Sequence, residues 1–583
     1  MKILFQFVKP HLLYFIFAYL VVAVSSVTIL AFGYGLHNLV DSWVTTSSVT
    51  SINNALLFLL VVVLIVGVTS FLRMWLTGYG SERVITGIRL NLYNKVIHFS
   101  PRFFENNSIS SLVTRLMADT SALQVILSAS MSTILRNATT LLGSVVMLVH
   151  TNFKLTTYTV VVIPIILVIL TSLGKKVKSL SQKVRLKTDE ITSFVEETYR
   201  GISVIQSFSK EYTIKQKFAN LLGISLNITN KYIILRALLV TLIITSAMTS
   251  IGLVLSLGIR EVLNNNITVG SLFSFIFYAA IAAGSVNNMG DNLHDIQKAV
   301  RISEDISKIL SMPLDINEIE SPKVVHGLKN SILVNDVTFY YPSKQNDPAL
   351  KGVSFSIDKG QVVALVGPSG SGKSTITNIL LRFYDITSGN VSIDGINIKE
   401  LSLSSLRSLF SVVPQNPIMF SGTILENIKY GVSDAAYKDV ENAARTACIL
   451  DFIESLPDKF DTFVGERGLC LSEGQKQRIA IARAVLKKDA DILILDEATS
   501  SLDSKNEQLI HDALDNLKGN KTMLIIAHRL STVVKADKII VFNNGYIDDV
   551  GTHQSLIAKQ DGLYSKLAKL QLSNENFSNG SSS

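Results

Sequence analysis

Apolar and polar positions divide the chain into two unlike halves. In the first, long apolar runs recur at Leu12–Leu36, Ala55–Leu72, Ser128–His150, Leu155–Gly174, Ile233–Ile259 and Leu272–Ala283. A helix of about 20 residues rises roughly 30 Å, enough to cross the hydrocarbon core of a bilayer, so each run predicts a membrane span. Pro164 lies inside the fourth run and predicts a kink there. The connecting stretches Gly78–Leu127 and Lys175–Lys231 are too charged for lipid and continue the flanking helices into water. Their Lys and Arg place both on the cytoplasmic side, and both chain ends with them. His294–Met312 reads as a charged extension of the sixth span, and Pro313, Pro322 and Gly327 then break the helical pattern.

Beyond that break the period changes. Ile332–Tyr340 alternates as a strand, whereas Val362–Val366, Asp491–Leu495 and Met523–Ala527 are almost wholly apolar, as strands buried on both faces of a parallel sheet are. The predicted architecture is therefore an all-α membrane domain of six helices over residues 12–312, followed by a cytoplasmic α/β domain over 332–567. The tail Ser573–Ser583 is polar and predicts disorder.

Composition agrees with a membrane protein. Hydrophobic residues make up 48% and charged residues 17% of the 583, against roughly 25% charged in a soluble domain, and mean hydropathy is +0.36. The net charge of +8 lies largely beside the apolar spans, which argues for membrane orientation and against nucleic acid as a partner. The start, MKILFQFVKPH, is too weakly charged for a transit peptide. The two cysteines, Cys448 and Cys470, fit no metal motif and make no disulfide framework, so they read as thiols in a reducing cytosol.

The chemistry concentrates in the second half. Val362–Val366 is followed by Gly367, Pro368, Ser369, Gly370, Ser371, Gly372, Lys373, Ser374 and Thr375, and then by a helix-compatible run. The pattern G-x-x-x-x-G-K-[ST] in a strand–loop–helix setting is a phosphate-binding loop. Its glycines let backbone N–H groups turn toward a phosphate, and the helix N-terminus adds a positive dipole end. Lys373 would reach the β- and γ-phosphates, and the Ser374 hydroxyl would hold Mg²⁺. A Gly/Ser-rich turn alone would need far fewer constrained positions.

Asp491–Leu495 delivers Asp496 and Glu497 to the carboxyl end of a strand, where open α/β sheets bind ligands. Asp496 suits Mg²⁺, and Glu497 is placed to polarise the water that attacks the γ-phosphate. Met523–Ala527 delivers His528 in the same way, a candidate γ-phosphate sensor. Tyr341 closes the alternating strand; an ordinary strand-end tyrosine is the plainer reading, a base-stacking ring the functional one. Gln415 lies between Pro414 and Pro417 and says little by itself. Ser472 and Gln475 form a capping box at the start of the helix in LSEGQKQRIAIARAVL, leaving an anion site at its N-terminus.

In this order the motifs resemble those of the ATP-binding cassette exporters, in the half-transporter form that fuses six membrane helices to one P-loop ATPase domain. The resemblance runs from about residue 10 to about 570. It rests on GPSGSGKS at 367–374, PQ at 414–415, LSEGQ at 471–475, LILDEATSSLD at 493–503 and AHR at 527–529. It implies ATP and Mg²⁺ as ligands. Tyr341 is then the adenine-stacking aromatic and Gln415 the Q-loop residue, also on the metal. Glu497 becomes the catalytic glutamate, Asp503 the D-loop aspartate and His528 the switch histidine. Ser472, Gly474 and Gln475 are the signature residues that meet the nucleotide of a second cassette. Phe103–Leu116 and Tyr199–Phe218 resemble the coupling helices, and TFVGERG at 462–468 the segment that touches them. The family works as a dimer, with each ATP held between two cassettes.

One position departs from the family pattern LSGGQ: Glu473 stands at its third residue. Two like charges 5–6 Å apart repel by ~3 kcal/mol at an effective dielectric of 20. Either Glu473 turns away in a homodimer with both sites active, or the chain pairs with a different half-transporter and supplies a weak site. The homodimer is the expectation. The expected cargo is an amphipathic lipid or hydrophobic small molecule, carried across a bacterial cytoplasmic membrane. A peptide exporter is an alternative, though no protease-like domain precedes the first span. A nucleotide-gated channel is disfavoured by the full hydrolytic set, and a soluble cassette ATPase acting on nucleic acid by the six spans.

Overall fold

The computed structural model describes residues 2–46, 49–344, 346–465, 468, 470–497, 521–527 and 533–570, with the side chains of 159–171 and a few others excepted. They fall into two compact units: Met1–Lys95 with Ser110–Ser311, and Val96–Ile109 with Met312–Ser583.

The first unit is helical. Its long helices are α1 (Leu12–Asp41), α2 (Val49–Ile97), which crosses into the second unit at its end, α4 (Ile109–Thr151), α5 (Phe153–Arg200), α7 (Glu211–Leu263) and α8 (Val269–Ser311). Between α2 and α4 lies the short α3 (Pro101–Asn106), and between α5 and α7 the short α6 (Ile202–Ser207). Among the described residues, five helical stretches are long and apolar enough to cross a membrane. The fourth apolar run falls on α5, which continues as one helix through position 164.

Beside two buried apolar clusters, this unit exposes apolar side chains that a water-soluble bundle would cover. Leu57, Val63, Leu64 and Phe71 are exposed on α2, while Ser25, Ser26, Thr28, Ser132, Asn137, Thr140 and Ser144 are buried between helices. Ser26 and Thr139 share a hydrogen bond of 2.7 Å, and Thr140 and Ser285 one of 3.0 Å. Small hydroxyl residues let helices approach and satisfy one another where lipid offers no partner. Close approach is evident where Tyr278 donates to the Leu30 carbonyl at 3.1 Å and a Cβ on Gly33 would lie 2.6 Å from the Tyr278 ring. At the first turn of α8, the Asp41 carboxylate accepts from the Gly270 N–H at 2.8 Å, satisfying an amide that the helix itself leaves unpaired.

The second unit is a cassette of ten strands among its described residues. These are β1 (Ser331–Phe339), β2 (Leu350–Asp358), β3 (Val362–Val366), β4 (Ser388–Ile393), β5 (Ile396–Asn397), β6 (Phe410–Val413), β7 (Ile492–Asp496), β8 (Thr522–Ile526), β9 (Lys538–Asn543) and β10 (Tyr546–Gly551). They form an antiparallel sheet ordered β2-β1-β4-β5 and a larger one ordered β10-β9-β3-β8-β7-β6. The latter is parallel except for β10. β3, β7 and β8 are buried along nearly their whole length, the reason their sequences read as unbroken apolar runs. One core cluster lies between the two sheets and includes Val363, Leu365, Leu524, Ile540 and Ile376 of α9 (Lys373–Leu380); another packs the opposite face against α10 (Ile424–Lys429), α11 (Tyr437–Thr446) and α12 (Glu473–Leu486), with Ile424, Val440, Ile479, Ala480 and Ile481.

The short α3 belongs to this second unit. Ser100 donates to Asp315 at 2.8 Å, and the Tyr384 hydroxyl donates to Glu105. Burial, reinforced by that carboxylate, pushes the Tyr384 phenol well above its ordinary value.

Candidate nucleotide site

β3 lies between β8 and β9, and the loop after it opens at the carboxyl edge of the large sheet. Gly367–Gly372 leads into α9 (Lys373–Leu380), whose Ile376, Ile379 and Leu380 are buried in the core. The loop is thus fixed at both ends by packing. Pro368, Ser369 and Gly370 form its exposed lip, while Ser371, Lys373 and Thr375 are buried.

Lys373 Nζ donates to the Gly367 and Pro368 carbonyls, both at 2.8 Å. Burial lowers its pKa from the ordinary lysine value, and the Glu497 and Asp496 carboxylates pull the other way. A cation held this way sits inside the loop rather than in bulk water. The Ser371 hydroxyl is buried with no hydrogen-bond partner. Orphaned buried donors are costly, and a phosphate oxygen is the acceptor such a loop is built to receive.

Three parallel strands place the remaining groups. β6 pairs with β7 so that Val413 lies opposite Leu495. Gln415 and Glu497, each two residues further on, therefore meet: Gln415 Nε2 donates to Glu497 Oε2 at 2.7 Å. The Ser374 hydroxyl donates to Asp496 Oδ1 at 3.3 Å. Glu497 has φ +49° and its N–H donates to the Ile526 carbonyl at 2.9 Å. A bulky residue in the left-handed region is strained, and such strain recurs where a side chain must be aimed.

The donor set fits Mg²⁺. The Ser374 hydroxyl, the Asp496 carboxylate and the Gln415 side-chain carbonyl are all hard oxygen ligands, and the first two are already in contact. Tyr341 lies beside this cluster through α9: its hydroxyl donates to Thr375 at 3.1 Å and accepts from Asn378 at 3.2 Å. Its ring packs edge-on against Phe339 and Tyr384.

The signature segment begins α12. Ser472 Oγ accepts from the Gln475 N–H at 3.3 Å, and Gln475 Oε1 accepts from the Ser472 N–H at 2.8 Å, a complete capping box. A helix leaves its first four N–H groups unpaired. The box satisfies two, and those of Glu473 and Gly474 remain for an outside acceptor. Asp503 and His528 lie outside the described residues, as do 466, 467 and 469 of the TFVGERG segment and its surroundings.

Residue-by-residue reading missed the partners that hold these groups still. Asn378 on Tyr341 carries no motif. Tyr384, Glu105 and Asp315 join segments more than 200 residues apart in sequence, and only the fold reveals them. Of the two stretches that resemble coupling helices, 103–116 spans the end of the short helix Pro101–Asn106 and the start of α4, and 199–218 spans the end of α5, the short helix Ile202–Ser207 and the start of α7.

Residues 12–286 match the family described as ABC transporter transmembrane region, and residues 350–500 match ABC transporter. The chain is 35% identical over 581 residues to ABC transporter B family member 1 of Dictyostelium discoideum, covering 99% of this chain and 63% of that protein's length. It is 34% identical over 508 residues to the ATP-dependent lipid A-core flippase of Blochmanniella pennsylvanica, covering 87% of this chain and 86% of that one. Among solved structures it resembles a bacterial Atm1-family ABC exporter with ATP bound, at a TM-score of 0.79 and 26% identity, covering 96% of this chain and 98% of that one.

Proposed function

The chain belongs to the ABC transporters and couples ATP hydrolysis to export, and from that premise we propose that it works as a homodimer that moves an amphipathic lipid or hydrophobic small molecule across a bacterial cytoplasmic membrane. The observation that carries the catalytic reading is the meeting of Lys373, Ser374, Gln415, Asp496 and Glu497 at one edge of one sheet.

In this reading the loop amides and the Ser371 hydroxyl receive the phosphates, and Lys373 exchanges its two loop carbonyls for β- and γ-phosphate oxygens. Tyr341, fixed by Thr375 and Asn378, stacks on the adenine. Ser374, Asp496 and Gln415 would hold Mg²⁺, which would neutralise charge on the phosphate oxygens. Glu497 accepts a proton from the attacking water. The Gln415 amide on Glu497 Oε2 holds that carboxylate in place, so Gln415 orients the base as well as serving the metal. His528 and Asp503 complete the site by family resemblance.

Dimerisation is supported by the surroundings of α6. Val204 lies on this short helix and Tyr199, Phe208 and Tyr212 flank it, all 59% exposed or more. Aromatic side chains gathered beside a polar helical stretch favour burial against protein, and a second cassette supplies such a surface. An amphipathic cargo is supported by a bundle interior lined with hydroxyls and amides. Asn137 Nδ2 is buried there without a partner.

ATP turnover by the purified chain in lipid vesicles tests the proposal, across a panel of lipids and hydrophobic drugs. Glu497→Gln is expected to abolish turnover while ATP still binds. Hydrolysis at the parental rate in that variant would remove Glu497 from its role, and an inert chain that turns over only beside a second half-transporter would replace the homodimer with a heterodimer.

A further inference from the structure

We propose that Lys476 is a positioning residue that draws the Glu473 carboxylate off the nucleotide path, so that α12 remains a competent γ-phosphate site despite the acid in its signature. This rests on the ATPase reading and explains how a homodimer tolerates the departure. Side chains on a helix lean toward its N-terminus. Glu473 is the first residue of α12, so an unrestrained carboxylate there extends past the helix end. It would then face the opening that the Glu473 and Gly474 N–H groups offer to an anion.

The geometry is otherwise. Glu473 Oε1 accepts from Lys476 Nζ at 2.8 Å, three residues along, which lays the carboxylate against the helix flank. Lys476 is the fixed member of the pair: its side chain is 15% exposed, against 65% for Glu473. Its stem lies in a slot bordered by Met419 and Gly468. A Cβ on Gly468, which has φ +68°, would lie 3.0 Å from Met419 Cβ and 3.2 Å from Lys476 Cε. Any side chain at position 468 would therefore press on the lysine.

An exposed ion pair contributes little to stability, so folding does not explain the arrangement. Its effect grows when a second cassette closes over α12 and expels water, because Coulomb interactions strengthen as the local dielectric falls. A bare carboxylate beside the γ-phosphate then repels it, whereas the pair presents no net charge. The capping box of Ser472 and Gln475 involves neither side chain, so the pair can be broken with the helix start intact.

The test uses the full chain in lipid vesicles. Lys476→Met is expected to raise the KM for ATP about tenfold with kcat within about twofold of the parent. Lys476→Arg should restore the parental KM, and so should Glu473→Gly placed in the Lys476→Met chain. An unchanged KM in Lys476→Met overturns the proposal. So does a double variant as weak as Lys476→Met, since the lysine would then act on the phosphate directly or hold up the fold. A second readout needs no turnover. In the Glu497→Gln chain, the ATP concentration that half-protects Cys470, exposed just before the signature, from a maleimide should shift with the same variants in the same order. A parent without Glu497-dependent turnover fails the ATPase reading alone; protection that ignores Lys476 and Glu473 fails this inference alone.

Discussion

Gly367 and Gly370 belong to one loop yet are glycine for different reasons. A Cβ on Gly367 would overlap the Phe542 carbonyl at the end of β9, and on Gly372 it would lie 2.7 Å from the Ala349 carbonyl. Around Gly370 there is open space, and only its φ of +77° excludes a side chain. Left-handed backbone costs a non-glycine residue about 1–2 kcal/mol. In a domain of this size that lowers Tm by roughly 2–4 °C per kcal/mol. Gly370→Ala should therefore fold with a Tm a few degrees lower. Gly367→Ala must push back a strand-end carbonyl, an overpacking cost of about 3 kcal/mol, and should also displace the carbonyl that Lys373 uses. Thermal shift of the full chain with and without ATP checks this: ATP should still raise the Tm of Gly370→Ala and have no effect on Gly367→Ala. The loop's strand–loop–helix setting was legible from its residue pattern. That two of its glycines answer to neighbouring backbone was not, because Phe542 and Ala349 carry no signal of their own.

At the scale of elements, legibility followed burial. Val362–Val366 was readable to the residue, and the runs at 491–495 and 523–527 to within one residue of β7 and β8. Strands covered on both faces must be continuously apolar, so their ends show where polarity returns. The allegiance of 96–109 was illegible. A polar stretch between two membrane runs looks the same whichever unit it packs on, and its contacts reach Asp315 and Tyr384. The last described helix, 563–570, makes a similar attachment. Tyr564 is buried, and its hydroxyl lies 2.7 Å from His553 Nδ1. Burial pushes the phenol up to about 12 from 10.0. A raised folded-state pKa means that the stabilisation is fully present below the unfolded value and is lost as pH rises through the folded one. Cassette stability should fall between pH ~10 and ~12, and Tyr564→Phe should flatten that slope in melting curves taken across the interval.

At the scale of the whole molecule, the first half exposes long apolar runs and buries hydroxyls between its helices, whereas the second closes its apolar strands into two core clusters, a contrast that composition already announced. Which side of the membrane holds the cassette depends on the Lys and Arg of the long connections, and the chain carries its own reporter for it. Both cysteines, Cys448 and Cys470, lie in the cassette, and Cys470 is exposed. A membrane-impermeant maleimide should leave the protein unlabelled in intact cells and label Cys470 in inverted vesicles, with Cys470→Ala removing most of the label. Labelling in intact cells would put the cassette outside and overturn the orientation. In inverted vesicles of the Glu497→Gln chain, ATP should slow the labelling, because Cys470 lies two residues before the helix cap at Ser472 and a second cassette closing on that helix must cover it. Orientation and closure are thereby read from one thiol: the first tests the side that the positive charges predict, the second tests whether a second cassette meets the signature helix.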